Sequence, residues 1–450
     1  MTIIKSLNTT KSCSEIFEAF HEEPEAVFLD SSLKNDLGRY SIIGLNPYHR
    51  LVVKNGVLYV NDVPTEQDLF TYLKDYLGTH REKNPTNLPL ISGAIGYFSY
   101  DFGRSIEGIP SRHKGFDFFP DCILNFYDHL IIEDLFEEKL YLTAGGHLAP
   151  AEEALKQLEQ KIADLPETKP ESMADYPIVC TSDFLKEEYL DAIDRMIRYI
   201  IEGDIYITNM TRQIQVKSDK DPYDVFKTLR RNNPSPFGGY FNYDGFQIVS
   251  ASPERFLKMK DRHVETRPIK GTRKRGETPE EDLALKQELR DSKKDQSELL
   301  MIVDLERNDL NRVCRPGSVQ VDHLFDVETY ATVFHLVSDV TGDLREDCDF
   351  SDLLKAAFPG GSITGAPKIR AMEIIDELEH SARGLYTGSI GYLSLDEGCD
   401  LNIVIRTALY HDGIYHIGAG GGITCESDLE FEFEETEQKA KALIAAMAGA

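Results

Sequence analysis

Lys270 is the residue of this chain whose type and position most suggest chemistry. It lies in Thr-Arg-Pro-Ile-Lys-Gly-Thr-Arg-Lys-Arg-Gly, a segment (residues 266–276) predicted as a strand that runs into a glycine-containing turn. An ammonium group is costly to bury without a partner, but burial and nearby cations lower the pKa of a lysine and make its neutral amine a nucleophile. Taken alone, the segment is more typical of a solvated basic loop.

Two pairs of carboxylates are spaced so that they could share a cation. Asp295 and Glu298 are three residues apart, and so are Glu432 and Glu435; both pairs lie in segments predicted as helices. Residues at i and i+3 share one face of a helix. Two such helices meeting at one point would offer only oxygen ligands, which suits Mg²⁺. In a chain with 77 acidic residues, either pair alone is more typical of a solvated surface.

Two glycine-containing segments are candidates for holding an anion. Residues 417–423 are predicted as a strand interrupted by glycines, where a carboxylate can approach exposed N–H groups, or alternatively as a hairpin bend. Residues 358–368 run into a predicted helix whose N-terminus is a natural anion site; a plain connection is the alternative. The first segment is not a dinucleotide fingerprint and the second is not a P-loop, because the required glycine and lysine spacings are missing.

Three further polar residues are candidates. They are Glu254 in Ser-Pro-Glu-Arg-Phe, His335 in Phe-His-Leu-Val-Ser and Arg406 in Ile-Arg-Thr. Glu254 alone is typical of a surface carboxylate, and a single histidine beside apolar residues is typical of a hydrogen-bonded core group. Arg406 is predicted in an otherwise apolar strand, and an arginine buried there needs an anion.

The elements that must position these residues are predicted from hydrophobic periodicity. Residues 1–165 contain short apolar or alternating runs typical of strands, and end in an amphipathic helix at 151–165. Residues 166–177 hold three prolines and are predicted as a linker. Residues 178–450 open with a helix at 182–202, with Ser182 as its N-cap, and then alternate strands and helices. We predict an α+β protein with large antiparallel sheets.

Composition excludes several classes of function. The net charge of −28 argues against binding nucleic acid or an anionic membrane, because both need a basic face. A small anionic substrate would need a local cation or a metal ion. Seven cysteines without a Cys-x-x-Cys pair, and the lack of an apolar N-terminal segment or a long apolar run, predict a cytoplasmic protein with reduced thiols.

Together these segments resemble the chorismate-utilising enzymes, which include anthranilate synthase large subunits, aminodeoxychorismate synthase component I and the isochorismate and salicylate synthases. The similarity is densest over residues 178–446. The motifs that carry it stand in the order of the family: Gly-Asp-Ile-Tyr at 203, Ser-Pro-Glu at 252, Met-Ile-Val-Asp-Leu-x-Arg-Asn-Asp-Leu at 301, Thr-Gly-Ala-Pro-Lys at 364 and the glycine-rich strand.

The resemblance implies a role for each candidate. Glu298 and Glu435 correspond to direct Mg²⁺ ligands, with Asp295 and Glu432 acting through water, and the metal holds one carboxylate of chorismate. The residues that correspond to the site of the other carboxylate are Arg406, Tyr386 and the backbone of Gly420, Gly421 and Gly422. Those that correspond to the general acid for the C4 hydroxyl and to two active-site positions near the ring are Glu254, His335 and Thr364.

Lys270 distinguishes between members of the family. The matching segment of anthranilate synthases carries alanine, whereas lysine resembles aminodeoxychorismate synthase component I. There the lysine adds to C2 as the C4 hydroxyl departs, and ammonia then enters at C4 and expels the lysine. The basic residues at 273–275 would either keep Lys270 neutral or face water. Ile207 departs from the family, since amino-adding members carry Gln there and water-adding members carry Lys; the loss of Lys argues against isochorismate or salicylate synthesis.

The resemblance also implies a fold and a partner. The fold is one large α+β unit in which two antiparallel sheets pack as a sandwich with helices outside, as in anthranilate synthase component I. Ammonia would come from a separate glutamine amidotransferase subunit, because the chain has no cysteine nucleophile elbow with a matched histidine. Anthranilate synthase component I is the alternative enzyme, since residues 29–32 resemble part of its tryptophan-binding region. A non-catalytic chorismate-binding subunit is the alternative from another class.

Overall fold

A computed structural model describes residues 1–166, 174–330 and 333–449 of the chain. Most of the predicted linker, residues 167–173, lies outside the described residues. Strands dominate the described part. In chain order the strands are β1 Ile3–Leu7, β2 Val27–Asp30, β3 Tyr40–Lys54, β4 Val57–Val60, β5 Val63–Thr65, β6 Gly93–Phe98, β7 Cys122–Asp134, β8 Lys139–Ala144, β9 Val179–Ser182, β10 Ile207–Lys217, β11 Phe237–Tyr243, β12 Phe246–Ser252, β13 Arg255–Lys260, β14 His263–Thr266, β15 Ile269–Lys274, β16 Gln320–Thr329, β17 Val333–Asp343, β18 Gly365–Ala366, β19 Ser389–Ser394, β20 Cys399–Asn402, β21 Thr407–His411 and β22 Ile414–Ile423.

Helices occupy the ends and the outside of the strand network. In chain order they are α1 Cys13–Phe17, α2 Leu69–Thr79, α3 Tyr100–Ile106, α4 Ala151–Ala163, α5 Lys186–Glu202, α6 Pro222–Asn232, α7 Pro279–Asp291, α8 Lys293–Asn311, α9 Phe350–Ala357, α10 Lys368–Leu378 and α11 Leu429–Ala448, with a 3₁₀ turn at Gly361–Ile363. The helix predicted at 182–202 begins later than expected: Ser182 ends β9, and Leu185 is the N-cap of α5. None of the helices in the described residues is long and apolar enough to cross a membrane.

All of the strand pairings in the described residues are antiparallel, and they form one continuous network. From β9 the network runs through β10, β22, β21, β12, β11, β2, β3, β7, β6, β19, β20, β13, β14 and β17, and both β15 and β16 pair with β17. The first 165 residues and the region after 178 share this network, because β2 pairs with β11 and β6 pairs with β19.

The network is folded into two layers, with side chains alternating between an inner core and outer helices. Leu130 and Ile132 of β7 belong to an inner core with Phe241 of β11, whereas the intervening Ile131 packs with α1 and α4. This alternation is the period of two that a strand imposes, and burial of each such side chain contributes about 1.5–3 kcal/mol. The predicted α+β class, antiparallel sheets and outer helices are therefore confirmed, with the layers joined through shared strands.

Two helices and one strand pair matter most for the cavity described next. The buried apolar side chains of α8 recur at helical spacing from Leu299 to Leu310 and pack against β17, among others. The C-terminal half of α11 packs through Leu443 and its neighbours into the helix-covered core. Because each helix buries an apolar stripe, the acidic residues of its first turns are left on another face. Strand β10 pairs with β22, with Asn209 opposite Gly422.

Candidate active site

A cavity of about 600 Å³ opens between α8, α11 and strands β10, β15, β17 and β22. Its size is typical of small-molecule sites, about 300–1,000 Å³. It brings together nearly all of the candidates named from the sequence. Those that line it are Glu254, Lys270, Asp295, Glu298, His335, Tyr386, Arg406, Gly420, Gly421, Gly422, Glu432 and Glu435. Thr364 is not among the lining residues; its buried hydroxyl donates to the Gly360 carbonyl at 2.9 Å.

Lys270 points into this cavity, so the solvated-loop interpretation is wrong. Its Nζ donates to the carbonyl oxygen of Ser362 at 3.0 Å. Burial lowers the pKa of Lys270, and the positive charge of Lys439 lowers it further, while Glu298 and Glu254 oppose the shift. The arrangement can therefore present a neutral amine to a bound ligand.

The arginines that follow Lys270 pair with carboxylates. Arg273 pairs with Glu288 at 2.9 Å and with Asp295 at 3.1 Å. Arg275 pairs with Asp282 at 2.6 Å. Neither lies among the main influences on the pKa of Lys270. The cation with that influence is Lys439, which sequence reasoning missed.

Lys439 belongs to the cavity wall and is tied to the glycine-rich strand. Its Nζ donates to the Gly420 carbonyl at 2.8 Å and lies 3.3 Å from a Glu435 oxygen. The spacing from Glu435 is i, i+4, which places both side chains on one face of α11. That spacing is the signal by which the sequence could have suggested Lys439.

The carboxylates form two pairs at the starts of two helices. The Ser292 side chain caps α8 by accepting from the Asp295 N–H at 3.3 Å, and Asp428 caps α11 by accepting from the Phe431 N–H at 2.9 Å. The caps start each helix just before its acidic pair, where the helix dipole also favours negative charge. The pairs thus reach the cavity from two directions.

Glycine at position 421 lets the α11 carboxylates approach the backbone of β22. A Cβ atom at Gly421 would lie 2.5 Å from Oε2 of Glu435 and 3.2 Å from Oε2 of Glu432. Real Cβ atoms essentially never show a contact as short as the first, and the second is tighter than most. The glycine-rich strand is therefore a strand with a close approach, as one of the two sequence interpretations held.

The acidic wall has the donor chemistry of a hard cation site. Burial raises the pKa of Glu298, and the charges of Asp295 and Glu435 raise it further, although Lys270 and Lys294 counteract the shift. Burial and Glu435 likewise raise the pKa of Glu432. Within the described residues, no three His, Cys, Asp or Glu side chains already converge as a metal site. Two carboxylates plus water suffice for Mg²⁺, so the donor set fits this ion through Glu298 and Glu435.

Glu254 is a buried carboxyl placed to hold a proton. It is 5% exposed, and its Oε1 has no hydrogen-bond partner among the described residues. Burial raises the pKa of Glu254, and this outweighs the lowering by Ser362 and by the charge of Lys270. A carboxyl of this kind is suited to general acid chemistry.

Arg406 is a desolvated cation in the wall of the cavity. It lies in the connection between β20 and β21, with a φ of 50°, and not inside a strand as predicted. Burial lowers its pKa, and no carboxylate pairs with it in the described parts of the chain. Because a buried guanidinium needs an anion, Arg406 is the strongest anion-binding candidate in the cavity wall.

His335 and Tyr386 line the same cavity as Arg406. His335 Nδ1 lies 2.9 Å from the hydroxyl of Thr272. Burial and the charge of Arg406 lower the pKa of His335 to about 4, so the ring is neutral at pH 7. The Tyr386 ring lies where a Cβ at Gly418 would be 2.1 Å away, and burial raises the pKa of its phenol.

Two motifs noted in the sequence support the cavity from outside. Lys368 donates to Asp309 at 2.6 Å and to the Ala357 carbonyl at 2.9 Å. The side chains of Lys368 and Asp309 are 8% and 6% exposed, respectively. This pair joins the start of α10 to α8. Ser362 and Ile363 of the segment at 358–368 line the cavity, and an anion site at the helix N-terminus that follows stays a prediction.

A second, smaller cavity of about 70 Å³ lies near the segment that resembles a tryptophan-binding region. It is lined by residues that include Leu29, Tyr40 and Phe237. Its carboxylates are paired, Asp30 with Arg230 at 3.0 Å and Asp400 with Arg255 at 3.0 Å.

All seven cysteines are free, as the sequence predicted.

Comparison with known proteins shows the family of the chain. The family model described as chorismate binding enzyme matches residues 25–445. The chain is 38% identical to aminodeoxychorismate synthase component 1 of Bacillus subtilis (strain 168), over 91% of this chain and 89% of that protein. It is 36% identical to anthranilate synthase component 1 of Acetivibrio thermocellus, over 96% of this chain and 92% of that protein.

Solved structures give the same result for the fold. Anthranilate synthase component I from Streptococcus pneumoniae TIGR4 matches with a TM-score of 0.81 and 30% identity, over 92% of this chain and 93% of that one. The menaquinone-specific isochorismate synthase from Escherichia coli matches with a TM-score of 0.76 at 18% identity, over 99% of this chain and 94% of that one. The fold predicted from the sequence is confirmed by the first of these.

Proposed function

The chain belongs to the chorismate binding enzyme family, and from this premise we propose that it aminates chorismate at C4 to give 4-amino-4-deoxychorismate. The observation that carries the proposal is Lys270, whose amine lies inside the cavity with a pKa lowered by burial. The relatives reported above divide between aminodeoxychorismate and anthranilate synthases, so the choice between them rests on the chemistry of this lysine.

The two walls of the cavity would divide the work of binding a dianion. Arg406, which no carboxylate of the described chain neutralises, would receive one carboxylate with Tyr386 and the backbone of β22 beside it. The other carboxylate would lie toward Glu298 and Glu435, which would hold Mg²⁺, with Asp295 and Glu432 as outer partners. When bound, Mg²⁺ supplies positive charge that offsets both the substrate and the acidic wall.

Lys270 and Glu254 would carry the covalent step between them. The neutral Lys270 amine forms a bond to ring C2 while the double bond shifts and the C4–O bond breaks. Glu254 donates the proton with which the hydroxyl leaves as water. After bonding to C2, the Lys270 nitrogen loses one proton. Glu254, now a carboxylate, accepts this proton. Ammonia bonds to C4, the double bond returns and the C2–N bond breaks. Glu254 gives its proton to the departing Lys270 amine and takes one from the new ammonium at C4.

The neutral state of His335 has a use in this scheme. A protonated ring would add a second positive charge beside Arg406, whereas the neutral ring with a pKa of about 4 leaves Arg406 as the local cation. The apolar and hydrogen-bonded surface around His335 would also exclude water from the ring. Ammonia would be supplied by a glutamine amidotransferase subunit, and we place the reaction in the cytoplasm, where the free thiols of this chain stay reduced.

Product identification tests this proposal directly. The purified chain is incubated with chorismate, Mg²⁺ and an ammonium salt, and a lyase that converts 4-amino-4-deoxychorismate to 4-aminobenzoate is then added. We expect 4-aminobenzoate only after the lyase is added. Anthranilate as the main product would overturn the proposal.

Anthranilate synthase component I is the second candidate. The observation that favours it is the small cavity beside residues 29–32, where the sequence resembles a tryptophan-binding region. This candidate predicts release of pyruvate without an added lyase and inhibition by tryptophan. Mg²⁺-dependent chorismate binding without turnover, even with excess ammonia, would instead favour a non-catalytic subunit.

A further inference from the structure

A buried ion pair behind the cavity has no part in the scheme above. Glu379 follows the last residue of α10, and Arg383 lies four residues later; their side chains are 4% and 1% exposed. Nε and Nη2 of Arg383 donate to the Glu379 carboxylate, at 3.0 Å to Oε2 and 2.7 Å to Oε1 respectively. A fork of this kind fixes the orientation of both side chains.

The other donors of Arg383 reach the walls of the cavity. Its Nη1 donates to the Ile363 carbonyl at 2.8 Å and to the Thr387 hydroxyl at 3.3 Å, and its Nη2 donates to the Asn209 carbonyl at 3.1 Å. Ile363, Thr387 and Asn209 all line the cavity. One guanidinium therefore joins three separate wall segments.

Glu379 extends the same pair to β10. Its Oε1 accepts from the backbone N–H of Thr211 at 2.9 Å and from the Thr211 hydroxyl at 2.8 Å. The Arg383 guanidinium also lies over the ring of Tyr100, 4.6 Å from its centroid. The pair is thus satisfied by hydrogen bonds on all sides, as a buried ion pair must be to persist.

The pair holds the group that directs Lys270. The Ser362 carbonyl accepts from Lys270 Nζ at 3.0 Å and from the Asn209 side-chain amide at 2.8 Å. Arg383 binds the carbonyl of the next residue, Ile363, and the main-chain carbonyl of Asn209. Arg383 therefore holds both Ile363, the residue that follows the Ser362 carbonyl, and Asn209, which donates to that carbonyl.

We propose that Arg383, paired with Glu379, is a positioning residue that aims the Lys270 amine. A neutral amine that donates one N–H to a fixed carbonyl has its lone pair held in a fixed direction. If the carbonyl moves, the lone pair moves away from the substrate carbon, and displacements near 1 Å cost about 10²-fold in rate. This inference rests on the proposed function, in which Lys270 is the nucleophile.

The variant Arg383→Lys tests the inference. Lysine keeps the charge opposite Glu379, but one ammonium cannot reproduce a planar fork that serves several carbonyls. We expect kcat for amination to fall about 10²-fold while KM for chorismate stays near the wild-type value, because Arg406 and the acidic wall are unchanged. A purely structural role would lower the amount of folded enzyme without this split between kcat and KM.

The matched control is Arg104→Lys, in a second buried pair away from the cavity. Arg104 lies 3.0 Å from Asp376, with side chains that are 4% and 6% exposed. We expect it to lower Tm as Arg383→Lys does, but to leave kcat near wild type. An equal fall of kcat in the two variants would overturn the positioning role.

The rate of adduct formation separates this inference from the proposed function. Without ammonia, the enzyme should accumulate a Lys270 adduct equal in mass to chorismate minus water, which intact-protein mass spectrometry detects. We expect the adduct to form about 10²-fold more slowly in Arg383→Lys. If the wild type forms no adduct, the proposed function fails; if both proteins form it at the same rate, only the positioning role fails.

A milder variant keeps the test decisive if Arg383→Lys does not fold. Thr211→Val removes the hydroxyl hydrogen bond to Glu379 and leaves the ion pair and the backbone hydrogen bond in place. We expect adduct formation slowed severalfold with KM nearly unchanged. An unaltered rate of adduct formation in this variant would then overturn the role of the pair.

Discussion

The two cavities described above differ in what their charged groups still lack. In the cavity of about 70 Å³, Asp30 and Asp400 each pair with an arginine of the same chain. In the cavity of about 600 Å³, Arg406 has no carboxylate partner within the described residues, and Lys270 donates only to a carbonyl. A ligand can stabilise the larger cavity by supplying missing charge, and has little charge to supply in the smaller one.

The size difference leads to the same conclusion. Small-molecule sites occupy about 300–1,000 Å³, and a single water needs about 10–15 Å³. The larger cavity fits the first scale and the smaller one holds a few waters. The cavity beside residues 29–32 therefore offers little volume and only paired charges, whereas the larger cavity has both volume and unmatched charge.

Among changes in the two cavities, Lys270→Ala should lower the rate of amination most. Removing the nucleophile is expected to lower kcat for amination on the order of 10⁴-fold, because the reaction must then proceed without the covalent intermediate. Initial rates with saturating ammonium and the coupled lyase measure this. A rate equal to that of the wild type would remove the covalent role of Lys270.

Glu254→Gln should have the next largest effect, together with a change in pH dependence. We expect kcat to fall about 10²–10⁴-fold. Burial raises the pKa of Glu254, and the proposed acid must be protonated, so the wild-type rate should fall as pH rises through that pKa. Lys270 must be neutral, so the rate should rise with pH through its lowered pKa.

The pH profile of the Glu254 variant sharpens the assignment. Glutamine does not titrate, so the fall of kcat/KM on the alkaline side should disappear and the rise that belongs to Lys270 should remain. An alkaline fall that persists unchanged in the variant would assign it to another group.

Removal of Mg²⁺ ligands should have an intermediate effect. We expect Asp295→Asn to raise the Mg²⁺ concentration for half-maximal activity about 10–100-fold, as outer partners typically do, and Glu298→Gln and Glu435→Gln to raise it more than about 100-fold. Titration with Mg²⁺ after treatment with EDTA measures this. Equal responses of all three variants would contradict the division into direct and outer ligands.

The same variants make a prediction about stability that does not depend on activity. The folded-state pKa of Glu298 is raised, so the folded protein binds this proton more tightly than the unfolded chain. Above the folded pKa the ionised group destabilises the fold. Without Mg²⁺ at pH 7, Glu298→Gln should therefore raise Tm, and Mg²⁺ should raise Tm in the wild type more than in the variant.

Changes in the small cavity should have the smallest effect on rate. We expect tryptophan to leave the rate of amination unchanged, and Asp30→Asn to change kcat/KM by less than about twofold while lowering Tm, because Arg230 loses its partner. Strong inhibition by tryptophan, abolished in Asp30→Asn, would show that this cavity is a ligand site and would favour anthranilate synthase.

The sequence anticipated the members of the active-site wall better than their interactions. The i, i+3 spacing of Glu432 and Glu435 was enough to place both on one helix face, and the structure has them against Gly421. In contrast, Arg273 was a plausible neighbour for Lys270 by proximity in the chain, yet it pairs with Glu288 and Asp295. Successive side chains of a strand point to opposite faces. The register of β15 shifts between Lys270 and Thr272, so spacing in the sequence does not show which later side chains share the face of Lys270.

Thr364 and Arg383 illustrate the opposite errors. Thr364 was named as a site residue, but its side chain is used to close a turn and does not line the cavity. Arg383 drew no attention in the sequence, because nothing in its local pattern reveals that it reaches carbonyls of residues 209 and 363. Its contact with the Asn209 carbonyl joins residues that are 174 apart in the chain.

By itself the sequence determined the residue types and the faces on which they lie: acidic pairs at the starts of α8 and α11, glycines that admit close approach, and apolar stripes that bury the rest of each helix. Only the tertiary structure decided that these faces meet around Lys270, that Lys439 is the cation beside it, and that Arg406 is left without a partner. The physical reason is that helix and strand periodicity is local, whereas convergence depends on long-range pairings such as β10 with β22. Those pairings are chosen by the burial of the whole core and not by the spacing within any one motif.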